Sequence, residues 1–122
     1  MPDQIPDHLD NVGPGWHPLL RRLHEQLTAV SPGYSVQQVK EKYGTLRIYL
    51  YTGVLRHLSM GNADWPSAER SAQYEAQDRA AMALVHATER ESAGICEACG
   101  SPGEARGGTW IRTLCDTCAG HR

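Results

Sequence analysis

Hydrophobic residues recur at helical spacing near the start of the chain. Leu19, Leu20, Leu23 and Leu27 form one stripe, and His17, Arg21, His24 and Thr28 fall on the opposite side. The pattern predicts a helix from about Trp16 to Val30, ended by Ser31-Pro32-Gly33. The period then changes. Tyr34 to Glu41 and Thr45 to Tyr51 are rich in β-branched and aromatic residues, and with Tyr43-Gly44 as a two-residue turn they predict a β-hairpin. In that register Gln37 faces Leu50, Val39 faces Ile48 and Glu41 faces Leu46 on the core side. Val36 with Tyr51, Gln38 with Tyr49 and Lys40 with Arg47 make up the other side.

Gly53 to Asp64 reads as a connection in which Leu55, Leu58 and Met60 pack locally. A long helix follows, from Trp65 or Ser67 to Ser92, with Asp64 or Ser67 as cap and Pro66 in the first turn. Its apolar face is read as Ala72, Ala76, Ala80, Ala83, Leu84 and Ala87. Glu69, Arg70, Asp78, Arg79, Glu89 and Arg90 are read as a solvated face, and Gly94 as the stop. Residues 1–15, broken by Pro2, Pro6, Pro14, Gly13 and Gly15, predict an irregular arm docked through Ile5, Leu9 or Val12.

These elements, with the paired cysteines Cys96/Cys99 and Cys115/Cys118 of residues 95–122, predict an α+β fold: helix, β-hairpin, long helix, then a C-terminal knuckle that looks like a zinc ribbon or treble clef. The corresponding units are the arm (1–15), an α-β-β-α core (16–94) and a zinc-binding knuckle packed on it (95–122). Composition sharpens this picture. Leu, Ile and Val total 21 of 122 residues and Phe is absent, so the core is thin and Ala, Tyr and Trp must fill space. The longest fully apolar run, Ala80 to Val85, is far short of a membrane span. No signal-peptide-like apolar stretch opens the chain, and a cytoplasmic location is expected.

Net charge is −2 and the isoelectric point is near 6.3, which excludes a broadly basic nucleic-acid coat. The charge is uneven, however. Arg21, Arg22, Lys40, Lys42, Arg47 and Arg56 outweigh Glu25 and Glu41 over residues 16–60, between negative flanking segments.

Cys96-Glu97-Ala98-Cys99 and Cys115-Asp116-Thr117-Cys118 form C-x2-C-x15-C-x2-C, a zinc-binding spacing. Each two-residue gap lets one tight turn aim two sulfurs at the same ion. Two disulfides or a C-x-x-C redox site are the alternatives. The first lacks an export signal, and the second leaves one cysteine pair unexplained. Four thiolates close the coordination shell, so a single structural Zn²⁺ is expected on Cys96, Cys99, Cys115 and Cys118 rather than a catalytic one with an open position. His121 stands three residues after Cys118 as a candidate substitute ligand. Residues 95–122 hold few large apolar groups, chiefly Ile95, Trp110, Ile111 and Leu114, so metal binding is expected to drive their folding. Thr109 to Leu114 reads as a short strand after a Gly107-Gly108 turn. A site of four thiolates and one Zn²⁺ would lower the net charge to about −4.

Lys40 and Arg47, directly opposed beside Tyr49 and Tyr51, call for a compensating acid, because like charges across a hairpin repel. The acidic long helix, a partner protein or nucleic-acid phosphate with bases stacked on tyrosine would each supply one. Lys40, Lys42, Arg47, Tyr49 and Tyr51 are therefore the candidate partner-binding residues. The plain alternative is that these side chains simply cover the sheet. Catalytic motifs are lacking: His24-Glu25-Gln26-Leu27-Thr28 starts like a zincin motif but ends in Thr, and no nucleophile elbow or phosphate loop is present. The expected role is non-enzymatic. It is that of a zinc-stabilised binding or regulatory protein acting through a partner protein, with a nucleic-acid-binding accessory protein as the alternative. An enzyme with an unrecognised site is the third reading.

Gly15-Trp16 before a Leu-rich helix, the segment Gln38-Val39-Lys40-Glu41-Lys42-Tyr43-Gly44-Thr45-Leu46-Arg47-Ile48-Tyr49, Ile95-Cys96-Glu97-Ala98-Cys99-Gly100 and Arg112-Thr113-Leu114-Cys115-Asp116 together resemble a family of small bacterial and phage-associated zinc-knuckle proteins of unassigned activity. The resemblance covers most of the chain from Trp16 to Cys118. It implies a zinc knuckle and a phage, mobile-element or bacterial-conflict setting. Cys118 stands where that family often has His as its last ligand.

Overall fold

The computed structural model describes residues 3–59, 61 and 64–120, so Met60 and His121 lie outside the described residues. The fold is α+β. Helix α1 (His17–Val30) is followed by the antiparallel pair β1 (Ser35–Lys42) and β2 (Thr45–Tyr51), a short helix α2 (Gly53–Ser59) and the long helix α3 (Ala68–Ser92). Strands β3 (Glu104–Arg106) and β4 (Arg112–Leu114) and helix α4 (Asp116–Ala119) complete the C-terminal unit. No described helix is long and apolar enough to cross a membrane.

Helices α1 and α3 pack together, α3 also covers β2, and their apolar faces meet those of the strands. Leu19, Leu20, Leu23 and Leu27 of α1, Val36 and Val39 of β1, Leu46 and Ile48 of β2, and Ala81 and Val85 of α3 form one cluster with Ile5, Trp16 and Tyr34. Full burial contributes about 1.5–3 kcal/mol for each leucine, so the α1 stripe supplies more apolar burial than any other single element.

Four expectations are corrected. The first concerns the arm: it docks through Ile5, with Leu9 and Val12 packed against the core, as expected, but Ile5–Asn11 form a 3-10 helix rather than an irregular segment. Ile5 is fully buried, and its N–H donates to the Tyr34 hydroxyl at 3.0 Å. Val36 N–H reaches the Asp3 carbonyl at 2.7 Å. The Tyr34 hydroxyl also meets His24 Nδ1 at 2.6 Å, which gives that histidine a structural role. Burial pushes the Tyr34 phenol up to about 12.

The second is the hairpin register. Val39↔Ile48, Lys40↔Arg47, Glu41↔Leu46 and Gln38↔Tyr49 pair as expected, but a bulge intervenes, so Val36 pairs with Leu50 and Ser35 with Tyr51. The extra residue, Gln37, is exposed, while Val36 is turned into the core. Strict alternation cannot express this, because a bulge re-aims side chains by one position. At the turn, both Tyr43 (φ 55°) and Gly44 (φ 80°) are left-handed, as a tight hairpin of native twist requires.

Third, the segment after β2 is helical over Gly53–Ser59, and Leu55 and Leu58 are exposed rather than locally packed. Gly53 has φ 55°, and a Cβ there would lie 2.5 Å from the Asp78 carboxylate.

Fourth, α3 is rotated from its expected orientation. Its buried residues are Ala81, Val85, Thr88 and Ser92, whereas Ala72, Ala76, Ala83 and Ala87 are exposed and Ala80 and Leu84 half-buried. Alanines surround this helix and favour helix on any face, so they carried little directional information. Polar groups help set the rotation. The Leu46 N–H donates to Ser92 Oγ at 2.9 Å, the Ile48 N–H to Glu89 Oε2 at 2.9 Å and the Thr52 hydroxyl to Asp78 Oδ1 at 2.5 Å. Glu89 and Asp78 thus satisfy strand-side donors instead of forming a solvated face. Ser67 caps the helix by accepting from the Arg70 N–H.

Candidate metal centre

Each cysteine pair is held by a short turn. In the first, Gly100 N–H donates to the Cys96 carbonyl at 2.9 Å and Cys96 N–H to the Ser101 carbonyl at 2.7 Å. Gly100 has φ 86°, the left-handed region in which glycine is favoured. In the second, Cys115 caps α4, and its sulfur accepts from the Cys118 N–H at 3.4 Å. Strand β4 is shorter than expected, and Trp110 is exposed instead of contributing to a knuckle core.

The two turns bring Cys96, Cys99, Cys115 and Cys118 together, with all four sulfurs within 4.8 Å of one another. Cys99 Sγ and Cys115 Sγ are 3.6 Å apart, well beyond the roughly 2.0 Å of a disulfide. A regular tetrahedral shell of sulfurs at about 2.3 Å from an ion has edges of about 3.8 Å, so this set can hold one metal ion. Cys96 and Cys115 are buried, Cys118 half-buried and Cys99 exposed.

The thiols are electrostatically unequal. Burial pushes Cys96 up, but hydrogen bonds from the backbone of Cys115, Cys99 and Ala98 and from the Cys99 side chain outweigh it and hold the thiol near 6. Hydrogen bonds with the Ser101 side chain and backbone lower Cys99. Cys118 is pushed up to about 12, chiefly by its hydrogen bond with Cys115 and then by those with Cys99 and Cys96. Crowded sulfurs cannot all ionise without a cation between them, whereas a bound divalent ion favours the thiolate at every one.

The centre is closely joined to the core. A Cβ on Gly15 would lie 2.0 Å from the Cys96 carbonyl oxygen and 2.6 Å from the Gly100 nitrogen. Gly15 N–H donates to the Glu97 carbonyl at 2.8 Å, and Trp16 Nε1 donates to the Ile95 carbonyl at 2.9 Å. On the other side, the Thr113 hydroxyl donates to the Gly44 carbonyl at the hairpin turn, at 2.5 Å. Glu97 is buried between the first two cysteines and pairs with Arg112 at 2.5 Å. Nothing in the cysteine spacing marks Glu97 as buried, and it was not anticipated.

The other candidate residues lie on the hairpin. Lys40 and Arg47 are opposed, as the register requires. Lys40 Nζ lies 5.7 Å from the Tyr49 ring centre and Lys42 Nζ 5.6 Å from that of Tyr43, within cation–π range. Tyr43, at the turn, is an exposed aromatic missed at the sequence level, and Tyr49 is also exposed. Tyr51 is half-buried at the far end of the strand. Of the sources open for a compensating acid, the long helix supplies none to this pairing among the described residues. Glu89 approaches the strand but bonds Ile48 N–H, and among the described residues Lys40, Lys42 and Arg47 make no ion pair. No family model, curated protein or solved structure matches the chain.

Proposed function

We propose that the chain is a non-enzymatic, zinc-stabilised binding protein that acts by docking a partner protein on the outer face of its hairpin. The observation that carries the zinc assignment is the four-sulfur cluster. Soft thiolates in a tetrahedral set suit Zn²⁺, and four protein ligands leave no open position for substrate or water. The ion is therefore structural. Its binding supplies roughly 10 kcal/mol or more to small modules of this kind, coupled directly to folding.

Binding at the hairpin is supported by its uncompensated charge. Lys40, Lys42 and Arg47 stand beside exposed Tyr43 and Tyr49, and Tyr and Arg are enriched at protein interfaces. The test is affinity capture with folded, zinc-loaded protein, compared with a Lys40→Glu/Lys42→Glu variant of equal metal content. The expected result is a specific protein retained by the first and lost with the second. No such protein, or equal retention by both, overturns the proposal.

The same row of cations with flanking tyrosines favours a second reading, a single-stranded nucleic-acid partner. Its mark is salt-dependent retention on DNA or RNA, lost in Lys40→Glu/Arg47→Glu. No retention at low salt excludes it.

A further inference from the structure

The inner rim of the hairpin face opens into a cleft of about 360 Å³ between β2 and α3, lined by Thr45, Arg47, His86, Glu89, Arg90 and Ala93. We propose that this cleft is a binding site for a phosphate monoester. The proposal rests on reading the hairpin face as a binding surface, and it names the chemistry recognised at one end of that face.

Charge and geometry support the assignment. Arg47 enters the cleft from the strand and Arg90 from the helix, and among the described residues neither makes an ion pair. The side-chain hydrogen bond of Arg47 is a long one, 3.5 Å to the Leu46 carbonyl, which leaves most of its donors free. Lys40 is paired directly across the hairpin from Arg47 and adds a third positive charge on the neighbouring strand.

The one acid lining the cleft, Glu89, is held by the Ile48 N–H through Oε2, which fixes it to the strand rather than to either arginine. His86, which also lines the cleft, offers a ring N–H in either protonation state, whereas the Thr45 hydroxyl donates to the Lys42 carbonyl at 3.0 Å. Two arginines lining one concavity, against a single carboxylate from Glu89, match a ligand with several acceptor oxygens and more than one negative charge. A phosphate monoester carries about −1.5 to −2 near neutral pH, whereas a carboxylate carries one charge and needs only one arginine. An anion seated there also eases the unfavourable Lys40–Arg47 opposition, to which no described acid is ion-paired.

The test is a nuclear magnetic resonance titration of the zinc-loaded full chain at constant ionic strength. The probes are inorganic phosphate, O-phosphoserine and adenosine monophosphate. The expected result is saturable shifts confined to Thr45, Arg47, His86, Arg90 and Ala93. Arg90→Gln should weaken binding about tenfold or more, the loss expected for a charge-assisted contact. Arg79→Gln, which removes an exposed charge from α3 outside the cleft, should leave binding unchanged.

Tighter binding of O-phosphoserine than of phosphate identifies a protein-borne phosphate, and tighter binding of the nucleotide a nucleotide-borne one. Inorganic phosphate binding as tightly as both esters overturns the monoester assignment. Non-saturating shifts, shifts scattered over arginines outside the cleft, or binding unchanged in Arg90→Gln overturn the assignment. Arg90 is outside the residues proposed to hold the partner. Retained partner capture without phosphate binding therefore refutes the cleft alone, and loss of the Lys40/Lys42 effect refutes the hairpin reading.

Discussion

The indole N–H of Trp16 donates to the carbonyl of Ile95 at 2.9 Å, joining the start of α1 to the residue before the first cysteine. Trp16 and Ile95 are 79 residues apart in sequence, and Trp16 is completely buried. The four-cysteine cluster is thus hydrogen-bonded to the core. Replacing Trp16 by Phe keeps most of the buried ring but leaves the Ile95 carbonyl without this donor. The expected loss is about 1–3 kcal/mol of stability, read from chemical denaturation of the zinc-loaded protein.

Gly15 should tolerate no side chain. An added Cβ meets the Cys96 carbonyl oxygen and the Gly100 nitrogen well inside contact distance, and both are backbone atoms of the first cysteine turn. Gly15→Ala is expected to displace that turn, costing about 1–3 kcal/mol as overpacking does, and to weaken zinc retention. Chelator competition measures the second effect. Zinc retention equal to that of the native chain would show that the turn does not depend on this approach.

The polar cover on β2 gives a local prediction. Ser92 is fully buried; its Oγ accepts from Leu46 N–H at 2.9 Å and donates to the Glu89 carbonyl at 2.6 Å. Ser92→Ala should cost about 1–3 kcal/mol by leaving a buried donor unpaired. Amide hydrogen exchange should quicken at Leu46 more than at Ile48, whose acceptor on Glu89 is retained. Equal acceleration at both amides would indicate general loosening of the helix instead.

Zinc affinity should rise with pH. The Cys96 thiol, held near 6, is already ionised at pH 7.5, whereas Cys118, pushed up to about 12, carries a proton that the metal must displace. Binding therefore releases protons, and lowering the pH opposes it. Calorimetry in buffers of different ionisation enthalpy measures the number released. A value of zero at pH 7.5 would contradict the electrostatic picture of the site.

Much of this was readable from the sequence, for identifiable reasons. The α1 leucines recur at a strict helical spacing and share one apolar surface, so period gave both element and orientation. The paired C-x2-C spacings gave the four-sulfur set, because so short a gap must turn tightly. The orientation of α3 was not readable, since alanine surrounds it and Ser92, Glu89 and Asp78 were needed as acceptors for donors remote in sequence. The bulge at Gln37 was hidden because it departs from the period-two pattern by a single residue. The order of the N-terminal arm depends on Tyr34, which receives the Ile5 N–H, and local composition does not contain that contact.

The central claim is that one zinc ion on four cysteines holds the C-terminal unit to the core. The most direct measurement is the metal content of the purified chain together with its thermal unfolding, repeated for Cys99→Ser and Cys115→Ser. The prediction is one zinc per native chain, lost in both variants along with order in the C-terminal segment. Normal zinc content and an unchanged melting temperature in either variant would contradict the account.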